Sequence, residues 1–275
     1  MIKVINTVEE YNRYIQGGLP SGELIYIPEN NSVHFRTNNI DGETKNYDFG
    51  QGEELAMLYP KRLNFQGSTS MERFDGKNID VSYLETYNEM FYDCKNLKYA
   101  DCACFNQKRG NMLQNLFFGC ESLEEIVNYS DFCGDNITSL NRTFSKCNKL
   151  KTLDLSGWDV RNVTRIDETF NNCSELESLN LAGWDMRNVT QCRYCFIGVK
   201  KIVNLNLDGA IFPEINLNNL KLEDCNLLTV ESLISILNAL PQTELGLTLT
   251  LGANNLAKLS DAQKAIATGK GWLLA

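Results

Sequence analysis

One short sequence, present twice, decides the fold of this chain: FSKCNKLKTLDLSGWD at residues 144–159 and FNNCSELESLNLAGWD at residues 170–185. The two copies begin 26 residues apart. A repeat of this period predicts a solenoid, because one unit is too small to bury its own apolar side chains and must pack on the next.

The repeat extends beyond the two clear copies as columns of equivalent residues. The phenylalanine column contains Phe91, Phe117, Phe144, Phe170 and Phe196, with steps of 26, 27, 26 and 26 residues. Three residues after each phenylalanine comes Cys94, Cys120, Cys147, Cys173 or Val199. Phe74 falls in the column of Leu153, which adds a leading unit. We therefore expect the repeats to run over residues 74–222.

Two periodicities divide each unit. Leu153 and Leu155 alternate with polar residues, which predicts a short strand with both leucines on the inner side. After a turn at residues 162–164, the apolar residues Val163, Ile166 and Phe170 follow at spacings of three and four. That spacing predicts a short helical or irregular return arm.

The pattern Phe-x-x-Cys-x-x-Leu-x-x-Leu-x-Leu-x-x-Trp-Asp-x-x-Asn-Val-Thr resembles the BspA-like leucine-rich repeats of bacterial and protist surface proteins. The resemblance covers residues 74–222 and carries over no catalytic residue. It implies a leucine-rich-repeat solenoid with 26–27-residue units. It also implies adhesion through the repeat face.

Different patterns flank the repeats. Residues 1–50 predict a small α+β docking module, with a helix over residues 7–16 and a hairpin at residues 23–36. Residues 51–73 form a connector with a short helix at residues 53–59. Residues 223–275 predict an α/β C-terminal capping repeat with helices beginning at Thr229 and Ser260. The predicted fold class is therefore α/β.

The two flanks carry a second resemblance. The hairpin sequences LIYI and SVHF after a Glu- and Tyr-containing helix resemble N-terminal modules of phage tail-fibre and head-fibre proteins. The C-terminal segment LTLTLGANNLAKL resembles endings of phage structural proteins and of gut-bacterial repeat proteins. This resemblance implies that residues 1–50 attach the chain to other virion proteins.

Composition limits the partners. A formal charge of -9 and a pI near 4.8 oppose binding to phosphate backbones, so we expect no nucleic-acid partner. No apolar run reaches the length of about 20 residues that spans a bilayer, so we expect no membrane insertion. The first ten residues contain no apolar export segment, so we expect synthesis in a bacterial cytoplasm.

The residue types needed for catalysis or metal binding do not form a convincing set. His34 is the single histidine, and it falls in the predicted hairpin. Cys192 and Cys195 could be read as half of a zinc site, but Cys192 falls in the column of Ile166 and favours core packing. Asp101, Asp154 and Asp208 could be read as hydrolytic carboxylates, yet an open strand face lacks a catalytic cleft. We predict no catalytic residue, metal or cofactor.

The outward positions between the inward leucines are the candidate binding residues. They carry small polar groups with two tyrosines, which suit hydrogen bonding to a glycan or a protein. A plain solvated strand face explains the same pattern, and the sequence leaves both explanations open. The candidates are Tyr99, Asp101, Glu125, Tyr129, Thr152, Asp154, Ser178, Asn180, Asn204, Asn206 and Asp208.

Three functions follow from these features. The first is a non-catalytic phage virion component, exposed on the virion exterior after lysis, whose repeat face contacts a host-surface protein or glycan. The alternative is a BspA-like adhesin on a bacterial cell surface whose export signal has been removed. A glycan-acting enzyme is the third function, and it requires a deep acidic cleft.

Overall fold

A computed structural model describes residues 2–4, 24–27, 32–35, 43–46, 65–76, 86–105, 112–130, 134, 136–213 and 221–275. In these residues the fold is mixed α/β, with short parallel strands and few helices. The predicted α/β class is thus confirmed. The helices predicted at residues 7–16 and 53–59 lie outside the described residues.

Four strands near the N-terminus form one sheet in the order β1-β2-β3-β4. β1 (Ile2–Val4) pairs in parallel with β2 (Leu24–Ile27). β3 (Ser32–Phe35) is antiparallel to β2 and to β4 (Glu43–Asn46). The predicted hairpin is confirmed as β2 and β3, while β1 and β4 were not predicted.

Six strands follow at the spacing of the repeat and form two parallel sheets. The first contains β5 (Arg73–Asp75), β6 (Tyr99–Asp101) and β7 (Glu125–Val127). The second contains β8 (Thr152–Asp154), β9 (Ser178–Asn180) and β10 (Asn204–Asn206). Equivalent residues pair directly, as Leu153 does with Leu179 and Leu179 with Leu205. Each strand has three residues and contributes one buried apolar side chain at its centre.

The phenylalanine column forms a continuous stack through the core. Phe91 and Phe117 have ring centroids 5.2 Å apart and almost parallel planes, and Phe144 lies 6.0 Å from Phe170. The stacking predicted from the period is confirmed. Phe65, 26 residues before Phe91, begins the stack at a centroid distance of 5.6 Å, although the sequence analysis did not include it.

The return arm is a series of tight turns, each bonded to the next unit. Cys120 N donates within its turn to Phe117 O, and Phe117 N donates across to Thr143 O of the next unit. Five of the arms each have two left-handed residues four positions apart, and Gly67 is a further one; their φ values lie between 54° and 78°. That conformation interrupts any α-helix. The left-handed residues are Glu89, Asp93, Asn115, Arg142, Lys146, Glu168, Asn172 and Tyr194, with Gly67, Gly119 and Gly198.

The cysteine column donates hydrogen bonds inside the core. The Cys147 thiol contacts the Phe117 carbonyl at 3.2 Å, and the Cys173 thiol contacts the Phe144 carbonyl at 3.1 Å. Both thiols are fully buried. The predicted role in core packing is confirmed, and the thiols also give an extra donor to carbonyls of the preceding unit. Burial raises the pKa of Cys173 to about 12, so the thiol keeps its proton at neutral pH.

Three helices and two strands lie beyond the repeats in the described C-terminal part. They are α1 (Val230–Ala239), β11 (Thr248–Leu249), α2 (Ala253–Lys258), α3 (Asp261–Thr268) and β12 (Leu273–Leu274). Thr229 caps α1 and Ser260 caps α3, as the sequence predicts. α2 was not predicted. β11 and β12 pair in parallel.

Helix α1 covers the free edge of β10. The Ser232 hydroxyl accepts a hydrogen bond from Leu205 N at 2.9 Å, and the Ser235 hydroxyl accepts one from Leu207 N at 2.7 Å. Thr229 N donates to Val203 O at 3.0 Å. Side chains of the helix therefore replace the strand that would otherwise pair there, which removes an exposed edge.

We expect Gly119→Ala to lower the free energy of unfolding by at least about 1 kcal/mol. Gly119 has a φ of +73°, and an added Cβ would collide with Asp93 Oδ1. Denaturant unfolding measures the change. Gly157→Ala is the control, because its Cβ would meet Ser130 O at an ordinary 3.4 Å. Equal losses in the two variants would contradict the assigned arm conformation.

We expect the stability of the chain to fall as pH rises above about 9, partly through Cys173. A thiol whose pKa is raised from 9.0 to about 12 stabilises the fold below the lower value and loses that contribution towards the higher one. Between the two pKa values, one such thiol lowers the free energy of unfolding by about 1.4 kcal/mol per pH unit. Cys173→Val, which copies Val199, should show a shallower fall in alkaline denaturant titrations. Parallel curves would refute the role of this thiol.

Candidate functional site

The predicted binding residues lie along one side of the six strands β5 to β10, which we call the strand face. Thr152, Asp154 and Asn204 are exposed, as are Glu125 and Asp208. The half-buried members are Tyr99, Tyr129, Ser178, Asn180 and Asn206. The strands place these side chains at equivalent positions of successive units, so most of the predicted set shares one surface.

The ring of Tyr99 is covered by a neighbouring side chain on the strand face. The Arg73 guanidinium lies 3.5 Å from the centroid of the Tyr99 ring. Because Arg73 and Tyr99 are paired residues of β5 and β6, this cation–π contact links two adjacent units. The tyrosine expected to anchor a partner is therefore covered by a charged side chain.

Asp101 does not belong to the exposed surface, so the predicted solvent exposure of its carboxylate is wrong. Its side chain is buried, with 0% exposure. Asp101 Oδ1 accepts hydrogen bonds from Ala103 N at 3.0 Å and from Asn128 Nδ2 at 2.9 Å. The carboxylate lies under Asn128 because the chain bulges there, and it fixes local backbone instead of facing solvent.

The bulge arises from one extra residue in the 27-residue step. Asn128 is left-handed, with a φ of 56°. The residue after it, Tyr129, offers its carbonyl to Trp158 Nε1 at 2.8 Å, as Leu155 offers its carbonyl to Trp184 Nε1 at 2.7 Å. Tyr129 therefore aligns with the inward Leu155, yet its side chain stays half-buried and borders the open side of the sheet. One inserted residue reverses the side on which the next side chain lies.

The sheet is interrupted at the same place. β7 and β8 belong to different sheets, although their neighbours pair at every step. In place of a backbone partner, Asp154 N donates to the Tyr129 hydroxyl at 3.0 Å. Burial is the main cause that raises the pKa of this phenol. Tyr129 thus links the two sheets through a side chain.

An open cleft of about 430 Å³ lies on this interruption. Its lining consists of Asn128, Tyr129, Ser130, Asp154, Ser156 and Gly157. The strand alternation identified Tyr129 and Asp154 as candidates, but the other four residues were missed. The one signal that could have found them is the 27-residue step, because an extra residue in a regular array marks a local break in pairing.

Several polar side chains of the strand face bind their own backbone. Asn180 Oδ1 accepts from Ala182 N at 3.1 Å, and Asn206 Oδ1 accepts from Asp208 N at 2.9 Å. Asp154 Oδ1 accepts from both the amide and the hydroxyl of Ser156, and the hydroxyl bond chiefly lowers the pKa of Asp154. These Asx turns hold the side chains in fixed positions. The face is thus a rigid array of hydrogen-bonding groups.

The described residues contain no cluster of three or more side chains suited to a metal ion. Nine cysteines in the same part of the chain are buried and are not part of a disulfide. Within those residues, no helix is long and apolar enough to cross a bilayer. The side chain of His34 lies outside the description.

We expect Tyr129→Phe to expose the Asp154 amide to faster hydrogen exchange and to lower stability by about 1 kcal/mol. The substitution removes the acceptor that replaces a strand partner at the sheet interruption. Amide exchange followed by mass spectrometry measures the local effect. Tyr99→Phe is the control, because the ring under Arg73 is preserved. Unchanged exchange at Asp154 would contradict the proposed link.

Comparison with known proteins gives one family. The family model described as "Mycoplasma protein of unknown function, DUF285" matches residues 30–130 and again residues 85–209. The two overlapping matches together cover about two thirds of the chain. No curated protein and no solved structure matches it significantly.

Proposed function

The chain belongs to the DUF285 family, and from that premise we propose that it is a non-catalytic binding protein built as a leucine-rich-repeat solenoid. In this proposal the strand face is the attachment surface, as in the BspA-like repeats that the sequence resembles. The proposal draws on the parallel strands at a 26-residue spacing and on the stacked phenylalanine column.

The observation that carries the proposal is the fixed array of polar side chains on the strand face. The equivalent residues Asp154, Asn180 and Asn206 are paired across adjacent strands, are held by Asx turns and lie at least partly open to solvent. Rigid groups lose little conformational entropy on binding, which favours recognition of an extended partner. A host-surface protein or glycan is the partner we propose.

We place the protein on the exterior of a phage virion, with residues 1–50 docking on other virion proteins. This placement draws on the resemblance of the two flanks to phage structural proteins. The alternative is an adhesin on a bacterial cell surface, which draws on the BspA-like resemblance of the repeats. Detection of the chain in purified particles or on intact cells distinguishes the two placements.

A glycan-acting enzyme is the weaker proposal. Hydrolysis requires two carboxyl groups about 5–10 Å apart in a cleft. Within the part of the chain that the structure describes, the lining of the cleft at the sheet interruption has a single carboxylate, Asp154. Asp101 is buried and bonded to Ala103 and Asn128, which leaves it poorly suited to act on a substrate.

We expect the triple variant Thr152→Arg, Ser178→Arg and Asn204→Arg to reduce attachment at least about tenfold, which corresponds to about 1.4 kcal/mol. The three arginines would cover the polar array with bulky charge. The measurement uses the labelled full chain and the envelope fraction of the bacterium that carries the gene or hosts the virus. Saturation binding gives the apparent Kd.

The control places the same charges away from the strand face. Asn162, Thr164 and Thr190 are exposed on the turn side of the units, and their replacement by arginine adds equal charge. Attachment of this control variant should stay within about twofold of wild type. Equal losses in both triple variants, or no loss in either, would refute the strand face as the attachment surface.

A further inference from the structure

We propose that the cleft between β7 and β8 is a binding subsite for one neutral sugar residue of a glycan. The inference rests on the proposed attachment function and deepens it, because it names a position on the strand face and a class of ligand. At this cleft an open volume stands between two strands that would otherwise pair.

The cleft is held in shape from both sides. Trp158 Nε1 donates to Tyr129 O at 2.8 Å, and Asp154 N donates to the Tyr129 hydroxyl at 3.0 Å. Trp158 itself is buried, with 4% exposure. Tyr129 is therefore fixed at its backbone and at the end of its side chain, and a ligand would meet a formed site.

The lining combines groups that suit a sugar ring. Ser130 and Ser156 provide hydroxyls, Asn128 provides an amide and Asp154 provides a carboxylate, beside the aromatic Tyr129. Hydroxyl groups of a pyranose can donate to the carboxylate and accept from the amide. The apolar C–H groups of the ring can pack on tyrosine. A volume of about 430 Å³ lies within the usual range for small-ligand clefts, about 300–1,000 Å³.

The charge of the cleft favours a neutral ligand over an anionic one. Hydrogen bonds from Ser156 lower the pKa of Asp154, so this carboxylate is ionised at neutral pH. Among the described residues, neither lysine nor arginine lines the cleft. A phosphate or an acidic sugar would therefore meet an uncompensated negative charge.

The same bonds argue against a cationic peptide as the ligand. Asp154 Oδ1 accepts from both the amide and the hydroxyl of Ser156, at 3.1 and 2.7 Å, and the Asn180 side chain also bonds the carboxylate. These neutral donors leave the charge of the carboxylate in place but already occupy part of its hydrogen-bonding capacity. A lysine or arginine side chain would compete with these bonds, whereas a sugar hydroxyl needs a single acceptor.

The test uses the labelled full chain on the same envelope fraction, before and after mild periodate oxidation of vicinal diols. Free neutral sugars, sialyllactose and polylysine serve as competitors. Gly157→Leu fills the cleft without left-handed strain, since its Cβ faces Ser130 at 3.4 Å. Ala182→Leu, at the position of Ser156 in the next unit, is the matched control. Thermal unfolding checks that both variants fold.

We expect periodate and a neutral sugar to reduce attachment, and Gly157→Leu to weaken it about tenfold while Ala182→Leu changes it less than about twofold. Periodate resistance, or stronger competition by sialyllactose or polylysine, overturns the neutral-sugar assignment. Loss of attachment in the triple arginine variant but not in Gly157→Leu overturns the cleft alone. Retained attachment in both variants overturns the cleft and the proposed function together.

Discussion

The structure depends on one constraint: the backbone amides of each unit find most of their partners in the neighbouring unit. Leu181 N donates to Asn206 O on the strand side, while Phe144 N donates to Thr169 O on the arm side. A single unit leaves these groups unpaired, and buried unpaired amides are costly. The units therefore hold one another in register on two sides. The regular spacing of side chains on the strand face follows from these two sets of hydrogen bonds.

Much of the architecture could be predicted because it depends on the period. Residues 26 apart become neighbours, so the columns of phenylalanine and cysteine gave the stack and the buried thiols directly. Phe65 lies 26 residues before Phe91, so its place in the stack could also have been predicted from the sequence. The conformation of the arm could not be predicted from the sequence, because Glu89, Arg142 and Lys146 have no intrinsic preference for the left-handed conformation they adopt. Contacts with the next unit impose it.

The candidate site was predicted less well, for a local reason. Alternation correctly indicated which side of each strand faces outward wherever the units have equal length. The extra residue at Asn128 breaks this rule: it brings Tyr129 to the position of Leu155, and the unexpectedly buried Asp101 lies beside it. A side-chain period of two makes strand assignments sensitive to a single insertion. The cleft is the product of that insertion, so the departure from the repeat generated the most distinctive part of the face.

Because α1 closes the array by covering the edge of β10, the number of units can change without a change in the cap. Ser232 and Ser235 bond chiefly to backbone groups, which every unit possesses. The one side chain of the last strand that Ser235 also contacts, Asn206, has the counterparts Asn180 and Asp154 in the preceding strands. The same closure would fit after any unit that ends in a strand of this kind. Duplication or deletion of whole repeats can therefore lengthen or shorten the array while its terminal strand stays covered. Related chains can then differ in the number of units and keep the same C-terminal cap.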